Sequence, residues 1–381
     1  MARDLRPAVA RALVTLALLV GAAAGAGCGG ADPAPDRDPQ ASDPVVARAR
    51  AAIARRSRSL AGYEGPQRGP AAGGHPLVAF VAADLANGGI AGVARGLEQA
   101  AHAIGWRATI LDGRASRAGR REALRSALAR GAGGIVLGGF DAAEQRSPLA
   151  VAGRRGVPVV GWHAGARPGP DAASNLFTNI TTDPTAVAQL AARYVIADSN
   201  GSAGAVIVTD PAFRIATFKA DIMAAELRTC AGCRLLSLVR SPISEAPQRM
   251  PALVSGLLDR FGRRFDYLLA INGAYVAGAR AGLVDAGRRG IDPPYGVAAG
   301  DGDAAELERI RGGDYQRASV AEPLYLQGWQ VIDELNRALA GQRPSGYVAP
   351  PRLITRANAP EGGVFDPPSG YRDNYRRIWN R

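Results

Sequence analysis

Residues 77–111 read LVAFVAADLANGGIAGVARGLEQAAHAIGWRATIL. The apolar run Leu77 to Val81 has the length of a buried strand, the stretch Ile90 to Ile104 carries helical apolar spacing, and Ala108 to Leu111 is strand again. Strand, helix and strand in this order form a βαβ unit, which predicts a parallel sheet. The unit extends outward with a helix near Arg117 to Arg130, a strand Ile135 to Leu137, a helix from about Ala143 and a strand Val157 to Val160. The rhythm then restarts with helix Ala186 to Ala197, strand Ala205 to Val208, helix Ala212 to Leu227, strand Leu235 to Val239 and helix Pro247 to Phe261. It continues through strand Tyr267 to Ile271, helix Val276 to Ala286, strand Tyr295 to Ala298, helix Ala304 to Ile310 and strand Arg317 to Val320. A long helix, Leu326 to Leu339, precedes a last strand near Val348 to Ile354. The expected fold class is α/β, with two doubly wound parallel-sheet lobes of similar size.

The chain has 381 residues, 47% of them hydrophobic, which is enough apolar material for two cores and excludes disorder. Its formal net charge of +12 invites a nucleic-acid reading, but Lys219 is the only lysine among 46 basic residues and the rest are Arg. With so much Ala, Gly and Pro, this composition reflects GC-rich coding. The basic residues are spread along the chain with no dense basic and aromatic run, so no nucleic-acid partner is expected. Neither G-x-G-x-x-G with a downstream acid nor G-x-x-x-x-G-K-[ST] occurs, which argues against nucleotide cofactors. G-x-S-x-G and H-E-x-x-H are missing as well.

Arg3, Arg6 and Arg11 precede an uncharged run from Ala12 to Gly27, the pattern of a secretory signal over residues 1–27. Cys28 follows Gly25-Ala26-Gly27, which resembles a bacterial lipobox with Gly in place of the usual Leu. Lipidation at Cys28 and plain cleavage after Ala24 or Ala26 both follow from this pattern. Residues 28–74, rich in Pro, Ala, Arg, Asp and Gly, read as a flexible tether with a short helix around Val45 to Leu60. No compact DNA-reading head is visible there. Cys230 and Cys233 remain as a pair in an oxidising compartment, where the C-x-x-C spacing allows a structural disulfide or a redox pair. The pair follows a helix rather than opening one, which favours the structural disulfide. His75, His102 and His163 are scattered, so no metal site is expected.

Five further segments carry a family resemblance: Asn87-Gly-Gly-Ile-Ala-Gly-Val-Ala-Arg-Gly-Leu97 with Gly105-Trp106, Gly156-Val-Pro-Val-Val-Gly161, Leu269-Ala-Ile-Asn-Gly273, Ala299-Gly-Asp-Gly302 and Ala318-Ser-Val-Ala-Glu-Pro323. In order and spacing the chain resembles a type I periplasmic binding protein, the ribose- and galactose-binding kind of solute receptor attached to ABC importers. The resemblance covers nearly all of residues 77–356, and Tyr371 to Trp379 is similar to the C-terminal tail of some longer members. It implies a three-segment hinge near Ile180, Pro323 and Pro344. The expected lobes are residues 75–180 with 323–343, and 181–322 with 344–356, followed by a tail, 357–381. A ligand is expected in the cleft at the strand carboxyl ends.

Several residues are candidates for that cleft. Asn87 follows the first strand, where the family uses a polar residue on sugar hydroxyls; it is also a natural turn residue before Gly88-Gly89. The aromatic rings that members often carry just beyond are replaced by Gly89 and Ile90. Trp162 and His163 stand where sugar receptors have an Asp-Arg pair, and either offer a ring and a hydrogen bond or simply cap the strand. Lys219 matches a family Arg, and its survival in an Arg-only chain points to a steric or pKa requirement. Asn272, Asp301 and Glu322 match family Asn, Asp and Gln contacts, although Asp301 between two glycines also suits an Asx-turn. Asp183 reads as a helix cap.

The implied function is an exported solute-binding protein, monomeric and without cofactor, located in the periplasm or cell envelope. It delivers a sugar or polyol to an ABC permease and performs no covalent chemistry. Two rivals keep the same residues: a receptor presenting its occupied form to a membrane sensor, and a sugar-acting enzyme using Asp301, Glu322 and Lys219.

Overall fold

The computed structural model describes residues 43–58 and 62–380; the signal segment and Cys28 lie outside the described residues. The described chain opens with helix α1 (Pro44–Ser57), which Asp43 caps by accepting a hydrogen bond from the Val45 amide at 2.8 Å. Its stripe of Val46, Ala49 and Ala52 is buried. The tether expected over 28–74 therefore differs from the structure from residue 43 onward. Residues 66–72 are also held, because Pro66, Arg68 and Pro70 carbonyls accept hydrogen bonds from Asn374, Arg337 and Asn336, and the Ala72 amide donates to the Trp379 carbonyl. Proline-rich composition hid these bonds, because they use carbonyls, which proline keeps.

The first lobe is built from β1 (Leu77–Ala82), α2 (Gly88–Ala103), β2 (Arg107–Asp112), α3 (Arg117–Ala129), β3 (Gly134–Gly138), α4 (Arg146–Arg154), β4 (Val159–Trp162), β5 (Gly169–Asp171) and β6 (Leu176–Ile180). Its sheet runs β2-β1-β3-β4-β6-β5, parallel except for β5, which pairs antiparallel with β6. β1 and β3 are almost wholly buried, as expected of strands covered by helices on both faces.

The second lobe follows with α5 (Pro184–Asp198), β7 (Gly204–Thr209), α6 (Arg214–Arg228), β8 (Arg234–Arg240), α7 (Ala246–Phe261), β9 (Tyr267–Ala270), α8 (Gly273–Asp285), β10 (Tyr295–Ala298), α9 (Ala304–Gly312) and β11 (Gln316–Ala321). Helix α10 (Leu324–Leu339) returns to the first lobe, β12 (Arg352–Thr355) closes the second sheet, and α11 (Tyr371–Trp379) ends the fold on the first. The second sheet runs β12-β11-β10-β9-β7-β8, with β12 antiparallel to β11. Helix α1 packs on α5 of this lobe. Cys230 and Cys233 are bonded to one another in the turn between α6 and β8.

The chain thus passes between the sheets after β6, between β11 and α10, and between α10 and β12. Helix α10 lies close against α2: a Cβ on Gly96 would stand 2.6 Å from the Tyr325 carbonyl oxygen, so only glycine admits this approach. The other side of α10 receives the chain end. Trp379 stacks on Trp329 with ring centroids 5.5 Å apart and planes 10° from parallel, and its indole N–H donates to Asp333 at 2.9 Å. Tyr371, Tyr375 and Ile378 complete the buried stripe of α11. Truncating this anchor empties a large buried volume, so Trp379→Ala should lower stability by about 3–5 kcal/mol in urea unfolding. Trp379→Phe, which keeps the stack but loses the bond to Asp333, should cost clearly less; equal losses would contradict this assignment.

Candidate functional site

Parallel strands of one sheet all end on the same side, so the loops that follow them form a common edge. The two edges face each other across a cavity of ≈ 400 Å³. The first lobe contributes the loop after β1 with Asn87 and Ile90, together with Arg120, Gly139, Trp162 and His163. The second lobe contributes its strand ends in spatial order: Asp301 after β10, Asn272 after β9, Asp210 to Phe213 after β7 and Pro242 to Glu245 after β8.

Behind one end of the cavity lies a buried carboxylate. Glu322 follows β11 at the second crossing, has no exposure, and sits between basic side chains from both lobes. His163 Nε2 is 3.0 Å from its Oε2, and Lys219 Nζ is 3.5 Å from its Oε1. Oε2 also accepts from the Thr182 amide and the Gln327 side chain, each at 3.4 Å. Gln327 in turn accepts from the Trp162 indole at 2.8 Å and donates to Thr182 Oγ1 at 3.1 Å, tying the first two crossings together. Burial acts to raise the Glu322 carboxyl, but the His163 and Lys219 charges and the hydrogen bonds overcome it and hold this acid below the usual carboxylate range.

Asp301 is the second carboxylate of the group. It takes φ of 69° between Gly300 and Gly302, and the Asn272 amide donates to its Oδ2. Burial pushes its carboxyl up to about 6, opposed by the Lys219 and His163 charges and reinforced by Glu322 and Asp303. Across the cleft the N-terminus of α2 presses on it, since a Cβ on Gly89 would stand 2.5 Å from the Asp301 carboxylate. Oxygen and nitrogen atoms of His163, Asp301 and Glu322 approach within 4.8 Å of one another, a grouping that could suit a cation. The Lys219 ammonium, donating to the Ala299 carbonyl at 2.9 Å and 3.5 Å from Glu322, already places one positive charge against those carboxylates, so the set reads as a buried charge group.

Of the residues singled out from sequence, Asn87, Trp162, His163, Lys219, Asn272 and Asp301 line the cavity and Glu322 does not. Glu322 is set back behind Lys219 and His163 and orients them instead of facing the cavity. Asn87 spends its carbonyl oxygen capping α2, on the Gly89 and Ile90 amides, which leaves its amide group facing the cleft. Trp162 is nearly fully buried and lies face to face with the His163 ring at 3.9 Å, so it backs the imidazole and does not present an open ring. Asp183 caps α5 through the Thr185 amide. The aromatic that faces the cavity from the second lobe is Phe213, which packs against both cores and which helical periodicity had placed inside a helix; it is the residue before α6. Arg120 was also unmarked in the sequence, because its place on α3 depends on a paired bond to Glu144, in the turn after β3, at 2.5 and 2.9 Å.

The lobes also meet directly. Asp141, after β3, accepts from the Arg214 backbone amide at 2.9 Å and from its guanidinium Nε at 3.2 Å at the start of α6. These bonds join the two lobes directly beside the cleft.

Comparison with known proteins agrees with this architecture. Residues 78–343 match the family model described as periplasmic binding protein domain. Among solved structures, an ABC transporter solute binding protein from Agrobacterium vitis, bound with alpha-D-tagatopyranose, superposes with a TM-score of 0.65 at 17% identity, over 74% of this chain and 95% of that one. GanP, a glucose-galactose binding protein from Geobacillus stearothermophilus, gives 0.65 at 17% identity over 76% and 100%. The XylFII-LytSN complex gives 0.63 at 16% identity over 75% and 100%. No curated protein sequence matches the chain.

The shifted Asp301 acid has a pH signature. Its folded-state value is raised, so the protonated form stabilises the fold at low pH, and that contribution is lost as pH rises from about 4 through 6. Asp301→Asn does not titrate. Its urea stability relative to the parent should therefore climb between pH 4 and 6, by on the order of 3 kcal/mol, and level off above. A difference independent of pH, or one falling over this range, would contradict the assignment.

Proposed function

Because the chain belongs to the periplasmic binding protein domain family, we propose that the solute it captures is sugar-like and that it delivers this solute, unaltered, to an ABC importer. The observation that carries the reading is the row of polar groups along the cleft. Lys219 retains donor capacity beyond Ala299 and Glu322, Asp301 offers a carboxylate oxygen, and Asn87 offers an amide. Charge-assisted hydrogen bonds of this kind suit vicinal hydroxyls, which both donate and accept. The alpha-D-tagatopyranose bound in one structural relative and the glucose-galactose binding for which another is named fit the same reading. A micromolar receptor of this type gathers about 8 kcal/mol net.

In this reading Glu322 positions His163 and Lys219, while Asp141 and Arg214 latch the lobes over the ligand. The receptor works as a monomer in the cell envelope, lipid-anchored at Cys28, with Cys230 and Cys233 oxidised there. No helix among the described residues is long and apolar enough to cross a membrane. A sensing role is the second reading, favoured by the relative solved in a complex with a second protein.

The test is calorimetry against a panel of monosaccharides and polyols, with recovery of the bound sugar. Lys219→Met and Asp301→Ala should each weaken the sugar that binds by about 10- to 100-fold, the size of a lost hydrogen bond to a charged group. The recovered sugar should have its starting mass and configuration. Unchanged affinity in both variants would remove the cleft assignment, and a converted sugar would establish an enzyme instead.

A further inference from the structure

The cleft wall changes character along the second sheet. At the β10 and β9 ends stand Asp301 and Asn272, with Lys219 reaching in from α6. Beyond them, at β7 and β8, the wall becomes Pro211, Phe213, Pro242 and Ile243, joined by Ile215 one helical turn before Lys219. Ile90 faces the cavity from the first lobe.

Polar groups do line this second region, but they are engaged by the protein itself. Both Asp210 oxygens accept backbone amides, from Ala212 and Ile243, each at 2.8 Å. Arg120 is held by Glu144 and Glu245 by Arg249, while the Ser244 side chain also lines this region. Asp84 accepts from the Ala86 amide. Few free hydrogen-bonding groups remain there to meet hydroxyls, and a hydroxyl placed against Phe213 and Ile243 would lose water without compensation.

The distances exceed one sugar ring. Neighbouring strands lie about 4.8 Å apart, so the path from β10 to β8, three spacings, covers about 14 Å. A single ring held by Asp301, Asn272 and Lys219 leaves the β7 and β8 part of the ≈ 400 Å³ cavity for something else.

We infer that the cleft takes a sugar carrying an apolar or aromatic substituent, with the sugar ring at Asp301 and Lys219 and the substituent against Phe213, Ile215 and Ile243. This rests on the sugar reading above and specifies it: the ligand class is a glycoside, not a free monosaccharide. Polar recognition and apolar burial are divided between the two ends of one edge.

Calorimetry with matched pairs tests this: D-galactose, D-glucose, L-arabinose and D-ribose, each against its α- and β-phenyl glycosides. In the pair that binds, a phenyl glycoside should be tighter than the free sugar by tenfold or more. Phe213→Ser and Ile243→Ser should each shrink that ratio towards one, while free-sugar affinity stays within about twofold of the parent. Phe213→Leu, which keeps apolar volume, should retain most of the gain, and a single cooperative melting transition above the assay temperature confirms that each variant folds. Free sugars binding as tightly as their glycosides, or a gain that survives both Ser substitutions, would overturn the inference while leaving sugar capture intact. If no sugar or glycoside in the panel binds, this inference and the sugar reading fall together.

Discussion

A carboxylate fully removed from water cannot stay ionised without close basic or hydrogen-bonding partners, and Glu322 is such a group. Its two basic partners come from different lobes, His163 from the end of β4 and Lys219 from α6. One electrostatic requirement therefore fixes the crossing between β11 and α10, the inner end of the cleft and the orientation of two groups that face a ligand. Lys219 also explains itself here. A compact ammonium on a flexible stem reaches both the Ala299 carbonyl and the Glu322 carboxylate in a space where a planar guanidinium would have to satisfy five donors.

The rest of the site follows from where strands end and helices begin. Asn87 and Asn272 both cap helices with their carbonyl oxygens and keep their amide groups for other work, Asn272 holding Asp301. The glycine at 89 lets the start of α2 approach Asp301, placing the positive end of a helix against a carboxylate whose burial would otherwise be more costly. Opposite partial charges of the two lobes thus meet at two places, here and at Asp141 with Arg214.

Much of the architecture was legible in the sequence because buried parallel strands are short, continuous apolar runs, as in Leu77 to Val81 and Ala205 to Val208. The short strand β5 was not, since Gly169-Pro-Asp171 has no apolar pattern and pairs only through its backbone. Helix α1 was half legible: its span showed, but its docking on α5 did not, because alanine and arginine composition carries no sign of a partner surface. Strand-end positions also singled out Asn87, Trp162, His163, Asn272 and Asp301, which line the cavity, and the lone lysine and its family match singled out Lys219 on α6. What the sequence could not distinguish was facing the cavity from standing behind it. Glu322 and Trp162 occupy strand ends like the others, yet one supports two basic side chains and the other backs an imidazole. Phe213, Ile243 and Arg120 carry no local signal, since their roles arise from segments distant in sequence meeting at the cleft.

The dependence of the whole site on one buried charge group is tested most directly by a double-mutant cycle between Glu322 and Lys219, read by urea unfolding. Glu322→Gln and Lys219→Met should each be strongly destabilising, because each strands the opposite buried charge, and the double variant should be less unstable than their sum by about 1–3 kcal/mol. Additive losses, with no coupling between the two positions, would contradict the account.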